Sequence, residues 1–248
     1  GKKDASRRED LKSLPGIRAW HEFHTEAEHK ITAKWLDECD YFVAWVRDPI
    51  ERSVSAYNMI FDPKWLEELS KASKKGAQDL LQLRETLRQY GNLSNLAEQL
   101  SVDNQARTAW KSIHHVKFNI AYYFKSDKHG DAISPNDLQT LSTNYSCSRL
   151  LDQDFLRKLV FVGANECYEQ DVERFVALFG VSESFLETNP TIHLRRRPVD
   201  SFEPRNLSYA ARRNLRSYFD QDYEIMRSLV NLGLIKCQKL AELVCSAI

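Results

Sequence analysis

The chain has 248 residues, 42% of them hydrophobic, which is enough to bury a full core. Lysine plus arginine and aspartate plus glutamate both number 35, so no global field draws the protein toward nucleic acid or an anionic membrane, and any anion site must be local. The longest apolar runs, such as Tyr41 to Val46, fall far short of the ~20 residues a membrane helix needs, and the polar first residues are no signal peptide; a soluble chain without a membrane span is expected.

In chain order, residues 1–14 read as a polar loop feeding a short helix that Pro15-Gly16 ends. Ile17 to Phe23 alternates apolar and polar residues as a short strand does, and a helix over roughly Ala27 to Glu38 follows. Tyr41 to Val46 (YFVAWV) is uncharged, aromatic and β-branched, which predicts a buried strand with both faces covered. Residues 61–124 have helical composition, with Gly91 as a glycine cap within them, and residues 125–150 read as a surface excursion. KLVFVG (158–163) predicts a second buried strand, EQDVERFVALFG an amphipathic helix closed by Gly180, and Asn206 to Leu232 one long helix whose Ala211, Leu215, Phe219, Met226 and Leu229 share a face. Such alternation predicts an α/β fold with a parallel sheet and helices on its faces, as a single domain over 1–248.

Five cysteines, Cys39, Cys147, Cys167, Cys237 and Cys245, show no metal-ligand spacing, and their odd count points to reduced structural thiols. Asn-x-Ser triplets at Asn92, Asn144 and Asn206 keep the compartment open. The cytoplasm is favoured, with the Golgi lumen as the alternative if an N-terminal anchor is missing from the sequence.

The junction after the strand at Tyr41 to Val46 carries the most chemistry. Asp48 sits as N-cap, Pro49 at the first helical position and Glu51 three residues after the cap, an Asp-based capping box. Ile50, Val54 and Tyr57 recur at i, i+4 and i+7 and are expected to face the core. Arg47 is thereby held at a strand's carboxyl end beside a helix N-terminus, where open α/β sheets bind ligands and where free N–H groups favour negative charge. A guanidinium there grips a phosphate bidentately, and Ser55 supplies a hydroxyl from the helix. The plainer alternative is a surface ion pair between Arg47 and Asp48 or Glu51.

The string Val46-Arg47-Asp48-Pro49-Ile50-Glu51-Arg52 with Ser53-Val54-Ser55-Ala56-Tyr57-Asn58 closely resembles the 3′-phosphate motif of PAPS-dependent sulfotransferases, in the branch of carbohydrate sulfotransferases and their microbial and algal relatives. The resemblance implies a three-layer sandwich of the P-loop nucleotide-binding type, with a central parallel sheet. It also implies sulfuryl transfer from 3′-phosphoadenosine 5′-phosphosulfate (PAPS) to a hydroxyl, leaving 3′-phosphoadenosine 5′-phosphate (PAP). Arg47 and Ser55 then hold the 3′-phosphate.

The family's phosphosulfate loop can be laid on Gly1 to Ser6, giving Lys2 and Ser6 as cofactor ligands and Lys2 a catalytic role at the leaving phosphate. Asp4 departs from the pattern, standing where glycine is expected, and the strand that should precede the loop is missing. Relatives often carry a histidine near the acceptor at the place of Trp20 to Thr25; His24 is the candidate base, with His21 behind it, since neutral imidazole suits proton removal from a hydroxyl. His115 and Tyr123 are candidates for the acceptor pocket, and Arg195 and Arg196 for a basic loop over the 3′-phosphate. Glu166, after the second strand, is expected to orient a neighbour, to cap a helix or to face solvent. The mechanism calls for no metal. A small metabolite or a carbohydrate is the expected acceptor. The rival readings are a P-loop small-molecule kinase and a non-catalytic nucleotide-binding relative of the fold.

Overall fold

The computed structural model of the protein describes residues 40–113, 153–180 and 207–246. Strand β1 (Phe42–Val46) is followed by helices α1 (Pro49–Phe61), α2 (Pro63–Ala72), α3 (Lys74–Arg88), α4 (Leu93–Gln99) and α5 (Asn104–Lys111). Residues 153–180 form α6 (Gln153–Lys158), β2 (Leu159–Ala164), a 3-10 turn (Asn165–Cys167) and α7 (Tyr168–Phe179). Helices α8 (Tyr209–Tyr218), α9 (Asp220–Asn231) and α10 (Gln238–Cys245) complete the described chain.

The two strands pair in parallel, with Val43 opposite Phe161, Trp45 opposite Gly163 and Val46 opposite Ala164. A single parallel bridge from Val162 to Ile235 extends the sheet on the other side of β2. The described residues are therefore mostly helical around a small parallel sheet, which fits an α/β class.

Along β1 the pleat sends Val46 into the core, with Phe42 and Ala44 packed against it. Val43 and Trp45 point the other way and stay 42% and 40% exposed, so the expectation of two fully covered faces is corrected. On that side Trp45 lies across β2, its ring 5.7 Å from Phe161 and 5.4 Å from Tyr168. Gly163 makes this possible, because a Cβ there would come within 2.5 Å of the indole. Helix α7 contributes Phe175, edge-on to Phe161, and covers only part of this face.

The helices begin where short polar side chains can take up their free N–H groups. Asp62, Ser73, Asn92 and Asp103 each accept from a backbone N–H in the first turn of the following helix. The predicted helical stretch is accordingly cut into α2, α3, α4 and α5, with Gly91 in the left-handed region at φ 76° between α3 and α4. Gly180 closes α7 in the same conformation, at φ 62°, as the sequence predicts.

The predicted long helix after Asn206 is two helices. Phe219 leaves helical geometry at φ −99°, ψ 19°, and the chain restarts with Asp220 and Asp222 in the first turn of α9. The apolar face survives the break: Ala211, Leu215, Phe219, Met226 and Leu229 are all buried, around Trp110 and Leu96 among others.

Cys167, at the end of the 3-10 turn, and Cys237, the N-cap of α10, form a disulfide with Cα atoms 5.7 Å apart. The expectation of reduced thiols is corrected for this pair. The fold brings together two cysteines 70 residues apart, which no local spacing reveals, and Cys245 stays free and exposed. None of the described helices is long and apolar enough to cross a membrane.

Candidate anion site at the carboxyl ends of the strands

The carboxyl ends of β1 and β2 lie side by side, and each is followed at once by polar residues: Arg47-Asp48 after β1 and Asn165-Glu166 after β2. Asp48 is the fixed point of the site. It is buried at 6% exposure and engaged in three directions. Its Oδ2 accepts the Glu51 N–H at 3.0 Å, capping α1. Its Oδ1 accepts the Tyr223 hydroxyl of α9 at 2.5 Å. Its own N–H donates to Glu166 Oε1 at 2.9 Å, across 118 residues of sequence.

The capping box read from the sequence is therefore half local. Asp48 caps α1 and Pro49 occupies the first helical position, but the Asp48 N–H goes to Glu166 and not back to Glu51. Ile50, Val54 and Tyr57 are buried as predicted.

Tyr223 is itself held. The Arg216 guanidinium lies 3.5 Å above its ring centroid while that arginine's Nη1 and Nη2 donate to the Leu243 and Val244 carbonyls at the end of α10. Burial, and then the negative Asp48 beside it, push the Tyr223 phenol far up, so it stays a hydroxyl donor at any ordinary pH. Arg52, the second arginine of the junction, turns toward α9, with Nη2 3.4 Å from Asp222 Oδ2 and its guanidinium 5.6 Å from the Phe219 ring centroid. It ties α1 to α9.

Arg47 differs. It is half-buried, and among the described residues it makes no hydrogen bond or ion pair, so the surface pairing with Asp48 or Glu51 does not form. Its charge is felt at Glu166. Burial raises the Glu166 carboxyl above its usual range, and the Asp48 N–H and the Arg47 field pull it part of the way back. Glu166 Oε2 is buried and has no hydrogen-bond partner.

Ser55 is exposed on α1, seven residues beyond Asp48 and so on the same stripe of the helix. Ser53 is the serine spent internally, its hydroxyl donating to the Pro49 carbonyl at 2.8 Å. The described site thus offers one unpaired guanidinium, one free hydroxyl and a rigidly capped helix start, a set of donors suited to an anion with several oxygens.

The remaining predicted site residues, Lys2, Ser6, His21, His24, His115, Tyr123, Arg195 and Arg196, lie outside the described residues. Glu166, Tyr223 and Arg216 are the members that sequence patterning does not connect to the junction. For Glu166 the sequence offers only its place two residues after a strand, which leaves orienting, capping and solvent-facing roles open. Among the described residues no group of three or more His, Cys, Asp or Glu side chains gathers as metal ligands would. No protein-family model, no curated protein and no solved structure matches this chain.

Proposed function

We propose that the chain is a PAPS-dependent sulfotransferase built on a three-layer α/β sandwich, transferring the sulfuryl group to a hydroxyl of a small metabolite or carbohydrate. One observation carries the reading: Arg47 stands at the carboxyl end of a parallel strand, beside a helix start fixed by Asp48, and is unpaired among the described residues. A guanidinium in that place favours a phosphate, and the resemblance of residues 46–58 to the 3′-phosphate motif supplies its identity.

In this reading Arg47 and Ser55 take the 3′-phosphate, joined by Arg195 and Arg196, while Lys2 and Ser6 hold the phosphosulfate. His24 accepts the proton of the acceptor hydroxyl as that oxygen bonds to sulfur. The sulfur–oxygen bond to the 5′-phosphate breaks in line, and Lys2 meets the charge that develops on the departing oxygen. His21, His115 and Tyr123 line the acceptor. The Cys167–Cys237 disulfide favours an oxidising compartment for this activity over the cytoplasm.

Calorimetry with PAP in the absence of magnesium tests the reading. Binding that Arg47→Ala weakens by about a hundredfold is expected, the loss of a charge-assisted bidentate contact. Unchanged affinity in that variant would remove the basis of the assignment, and ATP binding that demands magnesium would point to a kinase. Sulfuryl transfer from labelled PAPS to a hydroxyl library, lost in His24→Ala, separates an enzyme from a non-catalytic binder.

A further inference from the structure

We infer that Glu166 is a positioning residue for Arg47: by accepting the Asp48 N–H it fixes the peptide that joins the two residues, and so the placement of the guanidinium relative to the start of α1. The inference rests on the proposed role of Arg47 in holding a 3′-phosphate.

The geometry is specific to this peptide. The Asp48 nitrogen belongs to the same peptide plane as the Arg47 carbonyl, so a hydrogen bond at 2.9 Å to Glu166 Oε1 sets the backbone rotation after the Arg47 Cα. From the other side, the Asp48 side chain is clamped by the Glu51 N–H and the Tyr223 hydroxyl. Without Glu166, the side-chain clamps would hold Asp48 but leave the preceding peptide free to turn.

The turn that carries Glu166 is braced at both ends. Before it, the Ala164 N–H donates to the buried Asp171 Oδ2 of α7 at 2.7 Å. After it, Cys167 is bonded to Cys237 at the start of α10. A supporting group on an immobilised turn can hold a binding side chain to within the few tenths of an ångström that a bidentate contact requires.

Glu166 is not itself offered as a ligand contact. Oε1 is occupied by the Asp48 N–H, and Oε2 is shielded from solvent. Its action on a bound phosphate therefore passes through Arg47, whose charge it senses.

The test compares calorimetric affinities for PAP and for 5′-AMP, which lacks the 3′-phosphate, in the full chain. Glu166→Ala is expected to weaken PAP by about tenfold and to leave 5′-AMP unchanged, while Glu166→Gln, which keeps an oxygen acceptor for the Asp48 N–H, stays within about twofold of the parent. Should the alanine variant not fold, Glu166→Asp withdraws the carboxylate by one methylene and is expected to show the same selective loss. If Glu166→Ala and Glu166→Asp bind PAP as the parent does while Arg47→Ala does not, the positioning role is wrong and the sulfotransferase reading survives. An equal loss for both nucleotides also overturns it, because that pattern marks general loosening. If the parent chain does not bind PAP at all, the role falls together with the reading beneath it.

Discussion

Two Asp-Pro steps open consecutive helices, and the contrast between them shows what a sequence motif does and does not determine. Asp48-Pro49 begins α1 and Asp62-Pro63 begins α2, each aspartate accepting a backbone N–H from the first turn, at 3.0 Å and 2.9 Å. Their local chemistry is the same. Asp62 does this at the surface of a helix that buries none of its residues, whereas Asp48 is enclosed by Tyr223 from α9 and Glu166 from the turn after β2. The Asp62 junction is a helix start; the Asp48 junction is a helix start converted into a platform, with Arg47 on its edge.

The comparison can be broken at the platform's most distant brace. Cys237→Ser opens the disulfide that spans 70 residues and is expected to cost about 4 kcal/mol, chiefly by freeing the unfolded chain; chemical denaturation with and without reductant measures it. A variant as stable as the parent would mean that the 3-10 turn is held without the crosslink. Next in size, Asp48→Ala removes a cap and leaves the Tyr223 hydroxyl buried without its acceptor, for a loss of about 3 kcal/mol, against about 1 kcal/mol for Asp62→Ala, whose cap opens a helix with no buried residues. Equal losses at the two sites would reduce Asp48 to an ordinary helix start. Tyr223→Phe isolates the long-range half of that difference and is expected to cost about 1.5 kcal/mol in the same denaturation experiment.

How much of this was legible follows from the range of each interaction. The start of α1 was, since cap, proline and apolar spacing lie within ten residues and each acts on its neighbours. So was β2, a short apolar run between polar segments, and so was the left-handed glycine that ends α7. The split between α8 and α9 was not: the 3.6-residue spacing continues through Phe219, and the departure from helical geometry is accompanied by long-range packing of its ring beside Trp110, at 6.3 Å between centroids, and under the Arg52 guanidinium. Glu166 and Asp48 meet because β1 and β2 pair in one register, and the disulfide forms because α10 begins beside the 3-10 turn. Neither register nor helix placement is written in any local window. Trp45 belongs to the same group, since its resting place over Gly163 depends on the partner strand.

The smallest expected effect also distinguishes the two junctions most sharply, because it depends on pH. Glu166 has its carboxyl raised above the ordinary 4.5, first by burial and then by the neighbouring Asp48, against the pull of the Asp48 N–H and Arg47. A raised pKa in the folded state means that the native protein holds the proton more tightly than the unfolded chain. The stabilisation is therefore complete below about pH 4.5 and is lost as pH rises through the folded-state value. Glu166→Gln keeps the hydrogen-bond acceptor and has no proton to lose, so its stability relative to the parent should increase from pH 4.5 toward neutrality, as read from urea midpoints across that window. Arg47→Ala removes the charge that opposes the shift and should steepen the parent's decline, while the same substitution made in the Glu166→Gln background should leave that variant's profile unchanged in shape. A gap between parent and Glu166→Gln that stays constant with pH would mean that the carboxyl titrates as a solvated acid, and that Arg47 and Glu166 do not share the electrostatic corner on which the anion site depends.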